Sequence, residues 1–228
     1  MPRVREPKDL RCTRRLEAQA LRQGWRLIAG CDEAGRGALL GPLYAAAVIL
    51  DPARRIAGVD DSKKLTAQDR LGLADEIRAK AVAFRVVAVP VAEVDCLNVF
   101  QASRHGMLRA LRGLVPAPDF VITDAMRLFG WGDDADFRVP YRAVIHGDAR
   151  SISVAAASIL AKVSRDAHME DLDRLFPQYG LARNKGYGTT EHLEGLKKFG
   201  PCPEHRQTFQ PVKSYLLPLF PFSLGEPA

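Results

Sequence analysis

Between Leu27 and Asp51 two apolar runs flank a pair of adjacent acids and a glycine-opened loop. The order is an apolar lead-in, Gly30-Cys31-Asp32-Glu33-Ala34-Gly35-Arg36-Gly37, then Leu40-Gly41-Pro42, then Leu43 to Leu50. Trp25 to Asp32 and Leu43 to Asp51 read as two strands joined through that loop. Both are too apolar to leave one face in water, so they belong inside a sheet covered on both sides. The join is too short for a helical crossover, so the two strands run antiparallel.

Strands and helices alternate along the rest of the chain. Thr66, with Asp69 three residues on, predicts a capped helix whose buried face is Leu73, Ile77 and Ala81. Phe84 to Val91 reads as a third strand, stopped near Pro90. One long helix is predicted from Ala92 to about Pro116. Short strands follow at Phe120 to Thr123, ending at Asp124, and at Tyr141 to Ile145, ending at His146-Gly147-Asp148. Asp133-Asp134-Ala135-Asp136 reads as a polar loop. Ser151 to Phe176 is predicted helical, and its run Val154-Ala155-Ala156-Ala157-Ser158 lets a backbone approach a sheet closely. A short helix is expected near Thr190 to Phe199, and an extended proline-rich tail from Pro211. The basic lead-in of residues 1–25 carries a solvated helix from about Arg14 to Gln23. The expected class is α/β, a mixed sheet flanked by helices.

At 228 residues and 47% apolar, the chain can bury one substantial core. Thirty-three basic against 27 acidic residues favour a polyanionic partner, as supporting evidence only. Cys12, Cys31, Cys96 and Cys202 are widely spaced, which argues against a zinc ribbon or a disulfide framework. No apolar run approaches the ~20 residues that span a bilayer, and Met1 to Leu10 lack the apolar core of a secretory signal. A soluble, cytoplasmic protein with no membrane partner is expected.

Three strands therefore end in carboxylates: Asp32-Glu33, Asp124 and Asp148. Strand ends are where ligand sites form in α/β sheets. Taken singly, each acid is an ordinary turn or cap residue. Together, without cationic partners, they repel one another, and a divalent cation with oxygen ligands, Mg²⁺ or Mn²⁺, is the natural compensation. Asp32 and Glu33 point to opposite faces of a regular strand, so both serve one site only if the strand twists, bulges or ends between them. Gly35-Arg36-Gly37 offers backbone access and a guanidinium for phosphate. Asn184-Lys185-Gly186-Tyr187-Gly188 offers a lysine for phosphate and an aromatic face for stacking.

Taken together these segments resemble the ribonuclease HII family, type 2 ribonuclease H. The resemblance runs from about Arg26 to Val212. It is carried by Asp32-Glu33-Ala34-Gly35-Arg36-Gly37 with Gly41-Pro42, Asp61-Ser62-Lys63-Lys64-Leu65, Asp124, Gly147-Asp148, Ala155 to Val163 with Arg165-Asp166, Asn184 to Thr189 with His192, and His205-Arg206 with Phe209. It implies a ribonuclease H-like catalytic core over 26–176 and a small helical, substrate-contacting extension over 177–228. The implied activity is endonucleolytic cleavage of the RNA strand of RNA–DNA hybrids. It includes incision 5′ to a single ribonucleotide in duplex DNA, by a monomer using two Mg²⁺ or Mn²⁺ ions, leaving 3′-hydroxyl and 5′-phosphate ends. By motif match Asp32, Glu33, Asp124 and Asp148 are the catalytic metal ligands. Gly35, Arg36 and Gly37 sense the 2′-hydroxyl and its phosphate, Lys63 and Lys185 contact substrate, and Tyr187 stacks at the RNA–DNA junction. The sequence departs from the family pattern at Ala125, where glycine is common, and at Leu181, where an aromatic is common. A non-catalytic hybrid binder, or a ribonuclease HIII-like or resolvase-like enzyme, would keep parts of this pattern. The first would be expected to lack an acid, and none is missing.

Overall fold

The computed structural model describes residues 12–128 and 137–216. The acidic segment Asp133 to Asp136, the basic residues before Cys12 and most of the proline-rich tail lie outside the described residues.

The elements in chain order are α1 (Arg15–Arg22), β1 (Ile28–Ala34), β2 (Leu43–Leu50), α2 (Ala67–Lys80), β3 (Ala81–Val89), α3 (Val91–Leu97), α4 (Val99–Arg112), β4 (Phe120–Asp124), β5 (Tyr141–Val144) and α5 (Ile152–Leu175). A 3-10 turn (Pro177–Tyr179), α6 (Leu181–Asn184), α7 (Thr190–Phe199) and α8 (Val212–Leu216) complete them. The five strands form one sheet in the order β3-β2-β1-β4-β5. β1 and β3 flank β2 antiparallel, while β1, β4 and β5 run parallel. The mixed sheet is as expected. β1 and β2 lie in its middle, which is why neither strand has a polar face.

The sheet is covered on both sides. Ala29, Cys31, Ala45, Ala47 and Ile49 pack on Met107, Leu108 and Leu111 of α4. Ala46 and Val48 face the other way, onto Ala155, Ala156 and Ile159 of α5 and Leu73 and Ile77 of α2. The small residues of α5 bring its backbone down onto β1: a Cβ on Gly30 would lie 2.0 Å from the Ser153 carbonyl carbon. That proximity fixes the depth at which α5 sits behind the strand carrying Asp32 and Glu33.

Several local expectations need correction. β1 starts three residues late and runs on to Ala34, so the two acids lie within the strand. Its start is set by the Asp119 carboxylate, which accepts the Arg26 and Leu27 N–H groups at 2.8 Å each. The single helix expected after Ala92 is two. The break is Asn98, whose φ of 67° stops α3 and whose side chain accepts from Phe100 and Gln101 N–H to cap α4. The lead-in helix α1 is not simply solvated. Glu17 and Ala20 are buried, and Glu17 Oε1 accepts from the Ser151 hydroxyl and from Ser153 N–H at the start of α5. The predicted cap of α2 is present, with Asp69 N–H donating to Thr66 Oγ1 at 3.1 Å and the Asp69 carboxylate accepting in return.

Candidate active site

β4 pairs with β1 only as far as Cys31↔Thr123, whereas β2 stays paired to β1 through Ala34↔Tyr44. Asp32 and Glu33 thus project just past the end of β4, where that strand delivers Asp124. β5 ends nearby at Val144, and the turn after it brings Asp148 back: Gly147 N–H donates to Asp124 Oδ1 at 2.7 Å. Gly147 is confined, since a Cβ there would lie 3.1 Å from both Asp124 Cα and the Thr123 carbonyl. Three strands so place Asp32, Asp124 and Asp148 with one carboxylate oxygen each within 4.8 Å of the others.

The face problem at Asp32 and Glu33 is resolved without a bulge. The register continues one-to-one, Asp32↔Ala46 and Glu33↔Ala45, and the side chains do point to opposite faces. Asp32 lies toward α5, near Ser158, which lines the same cleft and whose hydroxyl is 3.0 Å from that of Ser62. Glu33 lies outside the tight three-aspartate group and pairs with Arg36 at 3.1 Å. Both still line one cleft of about 310 Å³ because β4 has ended and both faces open into it.

Cations already stand among these acids, which the sequence did not suggest. Lys63 Nζ lies 2.9 Å from Asp148 Oδ2, and Arg36 is on Glu33. They do not cancel the crowding. Burial, with the charges of Glu33 and Asp124, pushes the Asp32 carboxyl well above its ordinary range. Burial also lifts Glu33 to about 7, against the opposing Arg36 and with help from Asp124. Asp124 is raised too, chiefly by burial. Glu33 Oε2 is buried and has no hydrogen-bond partner. Desolvated, mutually repelling carboxylates with an orphaned oxygen are the donor set a hard divalent cation satisfies, so the residues present fit such a group.

The same cleft is lined by Gly35, Arg36, Gly37, Lys63 and Tyr187. Gly35 has φ 92°, and a Cβ on it would lie 2.0 Å from Arg165 Nε, so glycine is required twice over. Tyr187 is 39% exposed, with the Arg165 guanidinium 5.6 Å from its ring centre. Lys185 is placed apart from this group. Its Nζ bonds Glu170 at 2.7 Å, and it lines a neighbouring groove with Arg70, Lys162 and Arg183.

Two residues quoted in the sequence only as parts of motifs hold this site together. Arg165, fully buried on α5, donates to the carbonyls of Pro42 (3.0 Å), Lys185 (2.8 Å) and Leu40 (3.1 Å). Arg206, also fully buried, donates to Gly41 and Arg36 carbonyls. Asp166, next to Arg165 in the sequence, pairs instead with Lys162 at 2.6 Å. The two guanidiniums tie the loop after β1 to the Tyr187 loop and the segment after α7, with Leu39 N–H also donating to Gly186 O at 2.8 Å. Each arginine sits in a charged or polar stretch, and only its full burial among carbonyls distinguishes it from a surface cation. Ala125, where the family pattern favours glycine, has φ 52°. That left-handed turn carries the chain away from Asp124 and lets Ala125 N–H reach Val144 O at 2.9 Å.

Comparison with known proteins agrees with this layout. The family model for ribonuclease HII matches residues 29–212. Ribonuclease HII of Solibacter usitatus is 47% identical over 205 residues, covering 90% of this chain and 87% of that protein. Ribonuclease HII of Koribacter versatilis is 49% identical over 210 residues, covering 92% and 80%. Among solved structures, ribonuclease H2 from Pyrococcus horikoshii superposes with a TM-score of 0.70 at 26% identity, covering 83% of this chain and 97% of that one. The five-stranded mixed sheet with its flanking helices is thus of the ribonuclease H-like kind.

Proposed function

The chain belongs to the ribonuclease HII family of metal-dependent endoribonucleases, and from that premise we propose that it cuts the RNA strand of RNA–DNA hybrids and incises duplex DNA 5′ to a single embedded ribonucleotide. The observation that carries this reading is the meeting of Asp32 on β1, Asp124 at the end of β4 and Asp148 in the turn after β5 within 4.8 Å. This group adjoins the cleft that also holds Glu33, the Gly35–Gly37 loop and Tyr187.

Asp32, Asp124 and Asp148 would hold the divalent metal, Mg²⁺ or Mn²⁺, with the free Oε2 of Glu33 as a further ligand. When bound, such ions supply an activated water and charge neutralisation at the leaving 3′-oxygen, giving 3′-hydroxyl and 5′-phosphate ends. The protein's own part is positional. Arg206, bonded to the Arg36 carbonyl, and Arg165, packed against Gly35, seat the Gly35–Gly37 backbone, whose polar groups are offered to the 2′-hydroxyl and adjoining phosphate. DNA has no 2′-hydroxyl and would leave those groups unpaired, which is the basis for discrimination. Arg36 and Lys63, now on Glu33 and Asp148, are placed to turn to substrate phosphates. The exposed ring of Tyr187 stacks on the nucleotide at the RNA–DNA junction. Lys185, in the adjoining groove, meets the duplex backbone farther along.

In this scheme residues 26–176 form the catalytic core and 177–228 the substrate-contacting extension. One chain supplies every proposed site residue, which supports action as a monomer. Among the described residues no helix is long and apolar enough to cross a membrane. The proposal is tested by supplying duplex DNA with one ribonucleotide, with and without Mg²⁺ or Mn²⁺, and mapping both ends. Metal-dependent incision on the 5′ side is expected, and metal-independent cutting or equal cutting of all-DNA duplex refutes it.

A further inference from the structure

Two buried histidines in the C-terminal extension take no part in the chemistry above. His192, on the first turn of α7, and His205 are both fully buried, with their Nε2 atoms 3.1 Å apart. Their outer bonds fix the tautomers. Cys202 N–H donates to His205 Nδ1 at 3.0 Å, so that nitrogen carries a lone pair; the Cys202 thiol lies 3.2 Å from the same atom. His205 must then bear its proton on Nε2 and donate it to His192 Nε2. The His192 proton is left on Nδ1, which donates to the Tyr187 carbonyl at 3.0 Å. The reverse direction fails at both ends, setting two donors together at Cys202 and two acceptors together at Tyr187.

The surroundings hold this relay rigid and neutral. The Tyr179 ring meets His205 edge-on at 4.8 Å, and its hydroxyl donates to Gly200 O at 2.7 Å. Burial pushes His192 below the usual imidazole range and takes His205 to about 4, where the neighbouring His192 adds to the effect. At the far end the Tyr187 carbonyl also accepts Thr189 N–H at 2.8 Å, and Tyr187 N–H donates to Asn184 O. The backbone from which the exposed Tyr187 ring projects is thus fixed from inside.

We propose that His192 and His205 are positioning residues: their one-way relay from Cys202 sets the Tyr187 backbone, and so the plane of its ring, and governs selectivity for a ribonucleotide junction without serving the hydrolytic step. This rests on the reading of Tyr187 as the stacking residue. Two substitutions at one position separate it from a merely structural role. In His192→Asn the amide N–H can take the place of Nδ1–H toward Tyr187 and the bond to His205 is lost. In His192→Gln the longer side chain reaches His205 and the Tyr187 carbonyl loses its side-chain donor, keeping only Thr189 N–H. A merely structural role predicts that His192→Asn is the more harmful, because it orphans the buried His205 N–H, whereas in His192→Gln the Tyr187 carbonyl keeps its bond from Thr189 N–H.

The measurement is kcat/KM for a single-ribonucleotide duplex divided by that for a long hybrid. The expected result is an about fivefold fall in this ratio for His192→Gln, what one net hydrogen bond is worth, carried by KM. His192→Asn retains the ratio, and kcat on the long hybrid holds within about twofold in both. Equal falls, or the opposite order, overturn the proposal. A second measurement needs neither a variant nor activity: imidazole ¹⁵N shifts of the unaltered, metal-free chain. His192 protonated at Nδ1 and His205 at Nε2 support the relay, and any other tautomer pair overturns it. An unaltered chain that cuts neither duplex refutes the nuclease reading instead, and the nitrogen shifts still decide the relay.

Discussion

Replacing Arg165 by lysine keeps the charge and nearly the length, yet the structure predicts a large loss. The guanidinium spends three separate N–H groups on three carbonyls, those of Pro42, Lys185 and Leu40, at 2.8–3.1 Å. A lysine ammonium is a single point and cannot span carbonyls that approach a planar fork from different sides. At least two of the three would be left buried without a donor, each costing about 1–3 kcal/mol, or roughly 4 kcal/mol together. Burial already lowers the Arg165 guanidinium from its ordinary range, and a lysine, which ionises less strongly, would hold its proton less well there. A loss of this size is a large part of the ~5–15 kcal/mol that stabilises a typical domain. With a urea dependence of about 2–3 kcal/mol per molar, the midpoint should fall by about 1.5 M. Cleavage should fall as well, because the same three bonds seat the loops bearing Gly35 and Tyr187. A variant within about 1 kcal/mol of the parent in urea would refute the claim that this fork holds the site together.

Ala125→Gly should stabilise the chain by ~0.5–1 kcal/mol, because a left-handed φ of 52° strains alanine by more than glycine's extra chain entropy costs; a lowered melting temperature would contradict this. The histidine pair should make stability depend on acid. His205 titrates near 4 when folded against about 6.5 unfolded, so between those values the unfolded chain binds more protons. Its contribution, up to ~3 kcal/mol, is therefore present above pH 6.5 and is lost as pH falls toward 4. The raised carboxyls of Asp32, Glu33 and Asp124 act in the opposite sense, so the comparison is between the parent and His205→Gln across that window; parallel curves would count against the assignment. Tyr187→Ala should depress cutting at a single ribonucleotide more than cutting of a long hybrid, by roughly the ~1–3 kcal/mol of one stacked base. Equal losses on both substrates would remove the stacking role.

Much of the architecture is legible because it follows from short-range patterns. Two uninterrupted apolar runs can only be central strands, and Val154 to Ser158 can only be a helix face lying close to a backbone. The acids are visible for the same reason, since the apolar pattern stops where they begin, although β1 runs on past Asp32 and Glu33 to Ala34 and Asp148 lies in the turn after β5. Their convergence is not visible in this way. Strand alternation already puts Glu33 on the other face from Asp32; what has no local signature is that β4 stops pairing at Thr123, which leaves both acids lining one cleft. Likewise Lys63 on Asp148 joins residues 85 positions apart. Asn98 breaks a helix through a left-handed conformation that the surrounding apolar periodicity conceals. Arg165 and Arg206 lie among charged or polar neighbours in the sequence, and their burial arises only when the loop after β1 meets the C-terminal extension. Ala125 stood out in the sequence as a departure, and its positive φ supplies the physical reason glycine suits that position.

The central claim is that Asp32, Asp124 and Asp148 form the metal centre of a nuclease that checks for a ribose. Its most direct test is cleavage of an end-labelled DNA duplex carrying one ribonucleotide, by the parent chain and by Asp124→Asn, each with and without Mg²⁺ or Mn²⁺. The parent should cut only with metal, on the 5′ side of the ribonucleotide, leaving 3′-hydroxyl and 5′-phosphate ends. Asp124→Asn should fold normally and lose nearly all activity, since an amide is a poor ligand for a hard cation. Cutting without metal, cutting of all-DNA duplex at an equal rate, or near-normal turnover by Asp124→Asn would contradict it.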